Sequence, residues 1–114
     1  MIRGYEKILE DSSSDARNRE RLALSHGIAL LQRVQEDNCG SQEAIEALLY
    51  IRRLWTFLIE DLARPGNGLP ESLRADLISI GLWVIKEADA VRHRKSESVA
   101  NLIAINTAIR DGLA

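Results

Sequence analysis

Few residues in this 114-residue sequence have types and spacings that could do chemistry. His26 and His93 belong to different predicted helices, and neither completes a His-x-x-x-His or Glu-x-x-His metal motif. His93 also sits in the run Arg92-His93-Arg94-Lys95, whose charge opposes a bound cation. Cys39 is the single cysteine, so neither an intrachain disulfide nor a cysteine-based zinc cluster is possible. Its place after a helix C-terminus, close to Asp37, does nothing to stabilise a thiolate. Gly66-Asn67-Gly68 lacks the following lysine and the preceding strand of a phosphate loop. Glu60-Asp61 and Glu87 with Asp89 read as solvated acid pairs at helix ends. No catalytic, cofactor-binding or metal-binding residue is assigned, and the expectation is a protein that is not an enzyme.

The remaining chemistry is that of binding. Arginines gather at Arg17, Arg19 and Arg21, at Arg52-Arg53, and at Arg92 and Arg94. With a helix starting near Ser12 to Asp15, the first three oppose the helix dipole, a hint of an acidic partner beside the plainer reading of a solvated face. The net charge of −2 and a pI near 5.7 give no global attraction to nucleic acid or acidic membranes. No basic face with interleaved aromatics emerges.

These residues need a scaffold, and the composition favours a helical one. Hydrophobic residues make up 46% and charged residues 28%, with Leu, Ile and Ala outnumbering Val and Thr. Residues 48–62 form the centre. Ala44, Leu48, Ile51, Trp55, Leu58 and Leu62 are spaced for one helical stripe, and Ala47, Tyr50, Leu54 and Phe57 occupy the neighbouring face. The polar strip is narrow, consisting of Glu46, Arg53 and Glu60. A helix apolar over most of its circumference must be covered on several sides.

Three further helices are expected around it. One begins at Ser12 to Asp15 and ends at Asn38-Cys39-Gly40, with small residues at Ala16, Ala23 and Gly27 for close approach of a neighbour. Residues 1–13 form a short arm or helix before it. Arg64-Pro65-Gly66-Asn67-Gly68 ends the central helix. The third helix opens with Pro70 in its first turn and buries Leu73, Leu77, Ile80, Val84, Ala88 and Val91, with Ile78, Leu82 and Ile85 beside them. Its Gly81 implies close contact with a backbone or a bulky ring such as Trp55. The fourth is capped by Ser96 or Ser98, carries no charge between Val99 and Ile109, and stops at Gly112. Its Asn106, if buried, must find hydrogen-bond partners in a loop or another helix. The fold class is therefore all-α, a single bundle of about four helices spanning residues 1–114. The first residues lack a signal peptide's apolar run and no segment approaches the ~20 apolar residues of a membrane span, so a cytoplasmic protein is expected. Apolar faces exceed what one small core needs, which implies a groove for a partner helix or a dimer interface.

The block Leu48-Leu49-Tyr50-Ile51-Arg52-Arg53-Leu54-Trp55 resembles the Leu-x-Tyr-Asn-Arg-Arg-Leu-Trp core of the FlaF flagellar biosynthesis regulators of alphaproteobacteria. Asn67-Gly68-Leu69-Pro70, Leu73-Arg74, Ile80-Gly81-Leu82, Leu102-Ile103-x-Ile105-Asn106 and Ile109-x-x-Gly112-Leu113 follow in the family's order and spacing. Tyr5, Arg17 and Glu20 fit its N-terminal pattern more loosely. The chain departs from the family at Ile51, usually Asn, and at Asp15-Ala16-Arg17-Asn18, usually Ser-Pro-Arg-Glu. The resemblance implies a cytosolic protein that binds newly made flagellin through its amphipathic terminal helices and promotes its synthesis and secretion by the flagellar type III export route, opposing the repressor FlbT. Direct binding of flagellin messenger RNA through the arginines is the alternative. The candidate partner-binding residues are Tyr5, Arg17, Tyr50, Arg52, Arg53, Trp55 and Asn106. Of these, Trp55 leans towards holding the fold and Arg53 towards contact.

Overall fold

The computed structural model describes residues 2–37, 41–93 and 99–112, with side chains within 15–36, 42–93 and 99–112. Four helices follow one another: α1 Ile2–Asp37, α2 Ser41–Ala63, α3 Glu71–Arg92 and α4 Ala100–Gly112. No strand occurs among the described residues, and the architecture is the all-α bundle expected. The readings placed on Asn38-Cys39-Gly40, Arg94, Lys95, Ser96 and Ser98 lie outside the described residues.

The start of the chain differs from expectation. Residues 11–14 do not break the helix, because α1 runs through them without interruption from Ile2. Ser and Asp each cost at most about 0.7 kcal/mol against Ala in a helix interior. That is too little to stop a helix once nucleated, since each added residue also closes a hydrogen bond. Arg17, Arg19 and Arg21 consequently lie several turns inside α1. The dipole at a helix end fades within one turn, so the argument from it to an acidic partner lapses.

The other breaks follow from local chemistry. Glu43 stands in the first turn of α2, where an acid complements the dipole. After Ala63 the chain turns through Gly66 and Gly68, at φ +84° and +92°, values that side chains rarely tolerate. Asn67 fastens this turn by donating from its amide to the Asp61 carbonyl at 3.2 Å and the Asp61 carboxylate at 3.1 Å. Arg74 Nη1 reaches back to the carbonyls of Leu62 at 3.3 Å and Arg64 at 3.5 Å, a cationic cap on the C-terminus of α2. Pro70 is the N-cap of α3, one position outside the first turn expected for it, and its φ of −55° feeds directly into the helix.

α2 packs against both α1 and α3, and α1 packs against α4, while α3 and α4 barely meet. Leu48, Ile51, Trp55, Leu58 and Leu62 of α2 are buried along the stripe read from the sequence. Leu24 and Leu31 of α1, Val84 and Ala88 of α3, and Leu102 of α4 complete the core. Burying each Leu or Val is worth roughly 1.5–3 kcal/mol. Surplus apolar surface remains, for Phe57 is 59% exposed, Leu82 57%, Leu73 43% and Trp83 41%. Leu73 and Leu82, expected to be covered by neighbouring helices, are exposed: Leu73 opens onto a hollow at the start of α3, and Leu82, in mid-helix, lies off the face that buries Gly81, Val84 and Ala88.

Gly81 meets the expectation set for it. A Cβ there would lie 2.8 Å from Cε3 of Trp55 and 2.8 Å from Cγ1 of Ile59, so α2 and α3 can approach this closely only without one. Gly27 plays the same part between α1 and α2, where a Cβ would fall 2.8 Å from Cδ1 of Ile51. Gly81→Ala gains roughly 1 kcal/mol of helix propensity but overpacks a core ring. A net loss of about 1–2 kcal/mol is expected in urea unfolding. Gly112→Ala, with no neighbour within 4 Å, should be close to neutral.

Candidate functional site

Trp55 crosses the bundle interior from α2 and donates its indole N–H to Oδ1 of Asn106 on α4 at 2.7 Å. Asn106 is fully buried, and its amide donates to the Leu102 carbonyl one turn earlier at 2.7 Å. The bridge to another helix foreseen for Asn106 is this one. Trp55 is 1% exposed, so both side chains are committed to the interior. Tyr50 is half-buried, donates its hydroxyl to the Ala23 carbonyl at 2.8 Å, and stands edge-on to the His26 ring with centroids 5.0 Å apart. Burial raises its phenol pKa above the ordinary value.

Arg52 and Arg53 are both exposed but differ in what they touch. Arg52 pairs with Asp89 of α3 at 3.8 Å, and Arg92 joins the same carboxylate at 3.6 Å. Asp89, read as solvated, is thus the link between α2 and the C-terminal turn of α3. Arg53 projects from the outer face of α2. Arg17 lies elsewhere, on the wall of a groove between α1 and α2. The side chain of Tyr5 lies outside the described residues. The six candidates with described side chains therefore do not form one site: Tyr50, Trp55 and Asn106 knit helices together, Arg52 braces two of them, and Arg17 and Arg53 are exposed on different helices.

Arg17 borders a groove of about 400 Å³ at the end of the bundle where the loop before α3 meets the C-terminal part of α4. Leu58, Leu62, Leu69, Leu73, Leu77 and Ile109 give it an apolar wall, and Trp55 closes its inner end. A second hollow of about 300 Å³ lies against Leu54 and Phe57. Glu20 and Asp61 line both, as does Leu58. Partial burial raises the Glu20 pKa above 4.5, and the negative charge of Asp61 raises it further, against the opposing pull of Arg17 and Arg19.

Sequence reasoning missed Glu20 and Asp61 as a pair. Forty-one positions separate them, and the available signal was Glu20 facing the same side of α1 as Ala16, Ala23 and Gly27, the small residues marked for helix contact. Chemically the arrangement offers apolar surface with a charged rim. Among the described residues, no group of three His, Cys, Asp or Glu side chains could hold a metal ion, and no helix is long and apolar enough to cross a membrane.

Fold and site together define a small four-helix bundle with an open apolar groove at one end. The chain belongs to the flagellar protein FlaF family, whose model matches residues 1–113. No curated protein and no solved structure matches it.

Two consequences can be measured. Asn106→Leu leaves the indole N–H of Trp55 buried without an acceptor, so unfolding free energy should fall by about 1–3 kcal/mol. Trp55→Phe in the Asn106→Leu background should then lose less than it does alone, because the two side chains act as one unit. For Glu20 the folded chain holds its proton more tightly than the unfolded chain, so stability falls as pH rises from the ordinary Glu value of 4.5 through the raised one. Glu20→Gln should melt above the wild type near neutral pH and match it at about pH 4, where both side chains are uncharged.

Proposed function

We propose that this protein binds newly made flagellin in the cytoplasm and promotes its synthesis and secretion through the flagellar type III export route, opposing the repressor FlbT, without catalysing a reaction. The observation that carries this reading is an open apolar groove on a member of a flagellar protein family. Amphipathic helices of the kind at flagellin termini aggregate when their apolar faces are wet, and a groove lined by Leu58, Leu62, Leu73 and Leu77 offers such a face cover until export. The exposed Phe57 beside it extends the apolar surface available to a partner.

Direct action on flagellin messenger RNA has weaker support. Arg17, Arg19 and Arg21 share their stretch of α1 with Glu20, and Asp61 of α2 stands close enough to raise its pKa. A phosphate backbone would meet carboxylates there as well as guanidinium groups.

Titrating the full chain with its cognate flagellin should give a stoichiometric complex, read by calorimetry, and absence of binding at about 50 μM would sink the chaperone reading. Arg53→Ala is expected to weaken that complex while leaving stability within about 0.5 kcal/mol. Arg52→Ala should instead lower stability by up to about 1 kcal/mol through loss of the Asp89 pair, which stays open to solvent. Unchanged binding by Arg53→Ala would make that side chain merely solvated.

A further inference from the structure

The geometry points to a defined occupant for the groove: an amphipathic helix that carries one lysine or arginine between two apolar anchors. Glu20 and Asp61 line the larger hollow below Leu58 and also the smaller one beside Phe57, so the acid pair stands where the two apolar hollows adjoin. A helix laid across both would seat apolar side chains from successive turns in the two hollows, because residues three, four or seven apart share one face. The side chain between those anchors then falls at the carboxylates. Arg17 borders the larger hollow and Arg19 the smaller, but both are exposed whereas Glu20 and Asp61 are half-buried. The carboxylates are thus the less solvated charges here, and partial burial and Asp61 both disfavour ionised Glu20. A cationic group inserted there relieves the mismatch, whereas a carboxylate would aggravate it. Asn67 holds the Asp61 carboxylate at 3.1 Å, which fixes that half of the pair before any partner arrives. The apolar hollows thus supply contact area, and the carboxylates choose among amphipathic helices.

This deepens the flagellin reading and rests on it for the partner's identity, but the site can be tested separately. The probe is a dye-labelled twenty-residue designed helix with a leucine face and one lysine on that face's midline, together with a twin bearing glutamate at that position. Anisotropy should show the lysine peptide binding the full-length protein roughly five- to tenfold more tightly than its twin. Glu20→Gln combined with Asp61→Asn should erase that preference, and Phe57→Asp should weaken both peptides. Circular dichroism of each variant confirms that the bundle is intact, and Leu82→Asp, on the exposed face of α3, controls for general loss of apolar surface. Equal affinity for the two peptides, or a preference that survives removal of both carboxylates, overturns the proposal. Flagellin serves as the second ligand. If the lysine peptide binds with the stated preference while flagellin does not bind, the groove's selectivity stands and the flagellin reading fails. If flagellin binds the carboxylate-free variant as tightly as the wild type, flagellin binding stands and the carboxylates' part in it is overturned.

Discussion

One side chain fixes how these helices sit together. The indole of Trp55 starts on α2, presses its six-membered ring on the backbone at Gly81 of α3, and hands its N–H to Asn106 of α4. An apolar ring could fill the same space, yet it would tolerate sliding of α4 along its axis by a fraction of a turn. A buried indole N–H tolerates far less, since an unmet donor costs about 1–3 kcal/mol. The hydrogen bond therefore contributes register as well as energy, and it does so across the bundle interior, where α2 and α4 are not backbone neighbours. The rest of the α2 face follows the same logic at its edges. Tyr50 anchors α1 through the Ala23 carbonyl, and Arg52 ties α3 through Asp89.

This explains why the most distinctive residues of the sequence lie close together on one helix. Tyr50, Arg52 and Trp55 fall on successive directions around α2, and each reaches a different neighbour: α1, α3 and α4 in turn. A sequence block so specific invites reading as a binding motif, but much of its specificity is that of assembly. Of its polar side chains, Arg53 is the one that faces away from these contacts.

Periodicity revealed the helices because apolar spacing reports which face is covered, and the buried positions of α2 are the ones it named. Gly81 and Asn106 were legible for another reason: a glycine inside a helix and an amide in an uncharged one each need a physical excuse, and the same ring supplies both. The continuous run of α1 through residues 11–14 was not legible, because three serines and an aspartate look like a cap when the cost of keeping them helical is small. The acids Asp61 and Asp89 were assigned to solvent because nothing local shows that Asn67 and Arg52 will reach them. The groove was foreseen as a surplus of apolar surface, but its location was not. It depends on how sparsely α3 and α4 meet, a tertiary fact that no single helix encodes.

That sparse contact couples the fold to its groove. Leu58 and Leu62 belong to the buried stripe of α2, and they also wall the hollow, so the groove is the unfinished end of the core. A helix seated there would bury the outward parts of residues whose inward parts already hold the bundle. Binding energy and folding energy would then draw on the same contacts, and a partner that favours the folded chain must stabilise it by mass action. Filling the hollow with larger side chains would stabilise the chain alone, but it would remove the surface on which a partner could act. In this incompletely closed bundle the same core residues therefore both hold the helices together and line an open apolar surface.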